Sequence, residues 1–216
     1  ISLRRSAQLG GQSPARLNTK PMWEGLLQGC IHPLNVDHHG NKLQKPWRAD
    51  YGWDLSSDRQ QENNMSQTSF DIQQAAVIGA GTMGRGIVMC LANAGVTVQW
   101  VDTNPQMLEQ ALATVADTYA HNVRQGRIDQ AEADARIARV SAAADYAAIR
   151  NVDLVIEAVY ENLELKQKIF RELDGLLKPE ALLASNTSAL DIDAIAAATK
   201  RPAQVLGLHF FSPAHI

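Results

Sequence analysis

Cysteine is scarce in this chain, with only Cys30 and Cys90 among 216 residues. Two thiols cannot build the disulfide framework on which small secreted domains depend, so the sequence reads as a soluble protein of a reducing, cytoplasmic compartment. Positive charge is not in excess either. A formal net charge of −3 gives no electrostatic case for nucleic acid or an anionic membrane as partner. No apolar run approaches the roughly 20 residues needed to span a bilayer. The basic start, Ile1-Ser2-Leu3-Arg4-Arg5, lacks the apolar stretch of a signal peptide. Cys30, His32, Asp37, His38 and His39 could be cast as a metal cluster, but their spacing matches no closed zinc pattern, and no metal is expected. What these absences leave is a chain of one- or two-domain length, able to bury a full core.

The sequence falls into two unlike parts. Residues 1–64 hold three of the four tryptophans, Trp23, Trp47 and Trp53, among scattered Gly, Pro, Asn and Gln. They show no sustained period of 2 or 3.6, so this part reads as an irregular extension. It ends in the polar run Ser56–Asn64, and Met65 then opens the segment that leads to the first strand. The expectation is that Met65 is the natural start and the upstream part is read-through. A genuine linker, or the remnant of a preceding domain, is the alternative. Cys90 falls in the first helix of the second part, where buried packing is its expected role.

From Asp71 the alternation becomes regular. The patterns predict strands near 75–79, 97–101, 153–158, 181–185 and 204–210, with helices near 82–94, 105–124, 130–138, 162–177 and 189–198. Strands separated by helices imply parallel pairing with right-handed crossovers, hence an α/β, doubly wound, mostly parallel sheet. Pro105 after Asn104 marks a helix start, and Gly95 marks a helix end. The two helices over 105–138, joined around Gly126, exceed a minimal crossover and are expected to stand out from the sheet as a helical-hairpin insertion.

The most informative stretch is Ala75-Ala76-Val77-Ile78-Gly79-Ala80-Gly81-Thr82-Met83-Gly84. An apolar strand breaks into three glycines spaced G-x-G-x-x-G and enters an amphipathic helix. Gly79 permits the tight turn, Gly81 lets a pyrophosphate approach the backbone, and Gly84 lets the helix pack closely on the sheet. The N–H groups from Thr82 onward offer the anion the positive end of the helix. A second strand, Val96–Val101, ends in Asp102, 18 residues after Gly84, where a dinucleotide-binding fold places the acid that accepts ribose hydroxyls. A carboxylate there would repel a 2′-phosphate, and Thr103, Asn104 and Pro105 supply no basic group, so NAD is favoured over NADP.

Three further segments lie at strand C-terminal ends, where open α/β sheets bind ligands. They are Asp153-Leu154-Val155-Ile156-Glu157-Ala158-Val159-Tyr160-Glu161-Asn162 followed by Lys166, then Ala184-Ser185-Asn186-Thr187-Ser188-Ala189-Leu190, then Gly207-Leu208-His209-Phe210-Phe211-Ser212-Pro213-Ala214-His215. Singly each has a plain explanation. Glu157 or Glu161 could be a surface charge, Ser185 or Thr187 could cap the following helix, and His209 could be a structural histidine. Together with G-A-G-T-M-G-R-G they resemble the NAD-binding, Rossmann-type domain of the L-3-hydroxyacyl-CoA dehydrogenases, including the dehydrogenase part of bifunctional enoyl-CoA hydratase/3-hydroxyacyl-CoA dehydrogenases. The resemblance covers residues 72–216. The 3-hydroxyisobutyrate and 6-phosphogluconate dehydrogenases share a similar glycine turn but rely on a catalytic lysine and lack H-F-F-x-P.

The resemblance implies NAD-dependent oxidation of L-3-hydroxyacyl-CoA to 3-oxoacyl-CoA, with an acyl-CoA as substrate. His209 would be the general base and Ser188 the serine that contacts substrate oxygen and cofactor. Met83, Val159, Tyr160, Glu161, Lys166 and Ser212 would line the NAD site. An imidazole, with an ordinary pKa of about 6.5, is suited to taking and returning a proton near neutral pH. The family also places an acidic residue about a dozen positions beyond the histidine, and a helical second domain that closes the acyl-CoA cleft and forms a homodimer. Neither is found before Ile216, so the chain reads as a fragment. A 3-hydroxybutyryl-CoA or short hydroxy-acid dehydrogenase of the same fold, and an NAD-binding module without turnover, are the rival readings.

Overall fold

Apolar runs of four or five residues, each ending in a polar or glycine position, set the strands of one sheet. The computed structural model describes residues 2–5 and 72–210. The proposed start at Met65, nearly all of the N-terminal part, and residues 211–216 with Ser212 lie outside the described residues. Strands β1 (Ser2–Arg5), β2 (Gln74–Ile78), β3 (Thr97–Val101), β4 (Val140–Ala142), β5 (Leu154–Glu157), β6 (Leu182–Ser185) and β7 (Val205–His209) pair in the order β1-β7-β6-β5-β2-β3-β4. Every pairing from β7 to β4 is parallel, and β1 pairs antiparallel with β7, with Ser2 opposite His209. The doubly wound, mostly parallel Rossmann-type sheet expected from the sequence is therefore present.

The helices are α1 (Thr82–Asn93), α2 (Pro105–Arg124), α3 (Gln130–Ala138), α4 (Leu163–Leu176) and α5 (Ile192–Ala196). Their ends are chemically marked. Asn104 accepts from the Gln106 and Met107 N–H groups at the start of α2, with Pro105 in the first turn. Gly95, at φ +88°, follows α1 in a backbone conformation that costs glycine little. The strands alternate faces. Ala75, Val77, Trp100 and Ile156 join one buried cluster with α1, while Ala76, Ile78, Val101 and Val155 join another with Phe170 and Leu173 of α4. Cys90 is fully buried in the first cluster.

The expected helical hairpin, α2 with α3, is present and packs on α1. Leu108, Ala111, Val115 and Tyr119 form one apolar stripe on α2 and, with Ala133 of α3, are buried in the same cluster as Ile87 and Leu91 of α1. The last helix is shorter than 189–198, because the N–H groups of Ser188 and Ala189 bond to Glu161 instead of a helical ladder. Within the irregular extension, Ser2–Arg5 pairs with β7 as an edge strand.

Candidate cofactor site

The chain leaves β2 to β3 on one side and returns to β5 on the other, so a crevice opens between the C-terminal ends of β2 and β5. A cleft of about 670 Å³ lies there, lined by Gly79 to Met83, Asp102 to Asn104, and Ala158 to Tyr160. The glycine turn is built from inside the protein. Gly79 has φ +108°, and a Cβ on it would stand 2.7 Å from the Ala158 carbonyl oxygen. Its N–H donates to Val101 O at 2.8 Å, and its carbonyl accepts from the buried indole of Trp100 at 2.9 Å. A Cβ on Gly84 would lie 1.9 Å from that same carbonyl oxygen, so the turn and α1 can meet only through glycine.

Gly81 is different. A Cβ there would meet nothing within 4 Å, so no protein contact demands glycine and the space beside it is left for a ligand. No side chain caps the N-terminus of α1, and its first turn carries no acidic residue. These bare N–H groups suit a phosphate. Asp102 stands at the end of β3, with Oδ2 accepting from Ala80 N–H at 2.6 Å and Oδ1 from Asn104 N–H at 2.8 Å. A carboxylate has about four acceptor directions, so Asp102 still has capacity for ribose hydroxyls. The donor set, the open cradle at Gly81 and the cleft volume fit NAD.

The far wall of the cleft was not legible in sequence. Tyr146, from the turn Tyr146–Ile149, faces it with Lys168 and Glu172 of α4. Burial, and then the negative charges of Glu172, Glu157 and Asp102, push the Tyr146 phenol up to about 12. The group therefore stays a neutral hydroxyl across the physiological range.

Beyond the cleft the remaining residues form a connected set. Tyr160 is 84% exposed at its rim, and Val159 lines it. Lys166 does not line the cleft. It is fully buried, its Nζ 2.7 and 2.9 Å from the two oxygens of Glu157 and 3.4 Å from Glu161 Oε2. Glu157 is not a surface charge but also fully buried, and it accepts from Val159 N–H at 2.7 Å and Ser185 Oγ at 2.6 Å. Glu161 Oε1 accepts from the Thr187 hydroxyl, from Ser188 N–H at 2.9 Å and from Ala189 N–H at 3.2 Å. Burial opposes the Glu161 charge, but the bonds from Thr187, Ser188 and Ala189 and the Lys166 charge outweigh it and hold the carboxyl below its ordinary value. Neither Ser185 nor Thr187 caps the next helix, since Asp191 accepts from Asp193 N–H there.

Ser188 is exposed in the loop after β6, its hydroxyl 3.4 Å from Glu161. His209 ends the adjacent β7, half-buried, and Asn186 Oδ1 accepts from the next N–H, Phe210, at 2.9 Å. Asn186 thus ties the Ser188 loop to the histidine segment. Glu157 and Asn186 are residues the sequence reading left outside the site.

Comparison with known proteins agrees with this geometry. Residues 74–216 match the family model for the NAD-binding domain of 3-hydroxyacyl-CoA dehydrogenase. The peroxisomal bifunctional enzyme of Danio rerio is 44% identical over 171 residues, covering 76% of this chain and 22% of that protein. A probable 3-hydroxybutyryl-CoA dehydrogenase of Bacillus subtilis is 39% identical over 143 residues, covering 66% of this chain and 50% of that protein. Among solved structures, 3-hydroxybutyryl-CoA dehydrogenase from Escherichia coli superimposes with a TM-score of 0.66 at 38% identity, over 67% of this chain and 30% of that one. The dehydrogenase part of a multifunctional enzyme from C. elegans gives a TM-score of 0.62 at 30% identity, over 69% of this chain and 34% of that one. The chain thus spans between about a fifth and a half of the relatives it matches. It belongs to the 3-hydroxyacyl-CoA dehydrogenase family, in which it represents the NAD-binding domain.

Proposed function

We propose that this domain holds NAD while an L-3-hydroxyacyl-CoA is oxidised to the 3-oxoacyl-CoA, as in fatty-acid β-oxidation. The observation that carries the reading is the side-by-side placement of the Ser188 loop and His209 at the ends of β6 and β7, on the same sheet edge as the cofactor cleft. When bound, NAD supplies the hydride acceptor. His209 takes the proton of the substrate 3-hydroxyl, and the Ser188 hydroxyl bonds the substrate oxygen. Protonated, the imidazole favours the reverse reduction by stabilising charge on that oxygen. Ser212 of the following segment would complete the cofactor contacts.

The test is NADH oxidation with acetoacetyl-CoA, alongside calorimetric NADH binding, in the 216-residue chain and in a longer protein that extends it to the length of its relatives. The expected result is binding by both and turnover only by the longer one, because positioning the acyl-CoA against the cofactor accounts for much of the rate. In the longer protein His209→Ala should lower the rate by about 10²–10⁴ with cofactor affinity little changed, and Ser188→Ala by less. An indifferent His209→Ala would overturn the mechanism.

A second reading concerns the residues before 74. The match to the zebrafish enzyme covers 76% of the chain, against 66% for the Bacillus protein. The family match already reaches residue 216, so the extra coverage falls before residue 74. This supports the alternative, a genuine linker or the remnant of a preceding domain, over read-through.

A further inference from the structure

Glu157 closes β5 with a side chain wholly inside the protein, and each of its contacts leads to a different element. Oε1 takes the Val159 N–H at the cleft, Oε2 takes the Ser185 hydroxyl at the end of β6, and both oxygens take the Lys166 ammonium from α4. An ammonium with no exposure is costly to hold unless it is paired and hydrogen-bonded. Glu157 meets that demand with two short bonds. Glu161, at 3.4 Å, is therefore not drawn fully onto the lysine and keeps Oε1 for Thr187, Ser188 and Ala189.

Such a buried pair is rarely worth its desolvation for stability alone, since apolar residues of like volume usually do as well. Here the pair stands between the cleft wall and the loop that carries Ser188. We propose that Glu157 is a positioning residue: through Lys166 it fixes Glu161, and through Glu161 the Ser188–Ala189 backbone, in the form that receives the cofactor. This deepens the NAD reading and rests on it. Glu157 itself transfers no proton, being sealed from solvent with both oxygens occupied.

The decisive variant is Glu157→Gln/Lys166→Met, which removes both buried charges at nearly constant volume. It should keep a cooperative thermal transition. The amide resonances of Ser188 and Ala189, whose N–H groups report the bonds to Glu161, should shift, and NADH affinity by calorimetry should fall about tenfold, the scale of one net hydrogen bond. A folded double variant with either the resonances or the affinity unmoved would reduce the pair to packing and overturn the proposal. Glu157→Asp keeps the charge one methylene short and decides the matter if the double variant does not fold. Shifted amides and weakened binding support the role, and wild-type behaviour in either excludes it. Failure of the unsubstituted chain to bind NADH would defeat the cofactor reading instead, with the amide resonances still judging Glu157.

Discussion

Asp102 holds the turn and faces the cleft with the same carboxylate. One oxygen takes the Ala80 N–H, the other the Asn104 N–H, and the carboxylate keeps further acceptor capacity at the cleft. A hydrogen bond to a charged acceptor is worth about 1.5–3 kcal/mol. Asp102→Ala should therefore weaken NADH binding by roughly ten- to a hundredfold and narrow the preference over NADPH. Equal affinity of the unsubstituted chain for the two cofactors would refute that assignment. The glycines separate fold from binding. Gly81→Val projects into open space, so its melting temperature should stay near that of the parent chain while NADH affinity collapses. Gly84→Val drives a branched side chain against the Gly79 carbonyl, 1.9 Å from the first added carbon, and should fail to fold. If Gly81→Val binds normally, the loop is structural only. The glycine spacing and Asp102 were legible because their signals are local. Glu157 was not, because a glutamate at a strand end has the look of a surface charge until α4 and β6 close over it.

Elements are joined by a few polar braces whose loss can be measured. Tyr119 of α2 donates to Asn93 Oδ1 at the end of α1 at 2.9 Å, so Tyr119→Phe should cost about 0.5–1.5 kcal/mol in denaturant unfolding. Near-neutrality of that change would show that the apolar stripe alone docks the hairpin. At the opposite end of the sheet Asp153 gathers the Gln73 and Gln74 N–H groups and the Lys178 ammonium, joining β2, β5 and the end of α4. Burial opposes its charge, but Lys178 and the two N–H groups outweigh it, and the carboxyl sits below its ordinary value of 3.8. A lowered native pKa contributes stability above the unfolded value that is lost as pH falls through the native one. Stability should thus decline as pH drops below about 4, and Asp153→Asn should flatten that decline. An equally steep acid limb in the variant would show that other groups govern it. Long elements declare themselves in sequence through period and caps, as Pro105–Arg124 does. β4, the turn Tyr146–Ile149 and β1 span only three or four residues, too few for a period, and long-range pairing alone defines them.

At the scale of the molecule, the sheet of the described residues has one crevice-forming reversal and an edge closed by Ser2–Arg5. β1 covers the outer edge of β7, the strand that carries His209, while the cleft lies at β2 and β5 on the far side of β6. A chain beginning at Met65 should accordingly keep its NADH affinity and its thermal transition. Its uncovered β7 edge should promote self-association detectable by sedimentation, because an open edge is a template for further strands. Loss of folding in the shortened chain would show that the first 64 residues supply core. The shortened chain would also retain a single indole. Trp23, Trp47 and Trp53 all precede Met65, which leaves Trp100, wholly buried and bonded to the carbonyl of the phosphate turn. That makes the turn self-reporting. Indole emits where dihydronicotinamide absorbs, so cofactor arrival should be visible as light passed from Trp100 to the ligand, with no label on the protein.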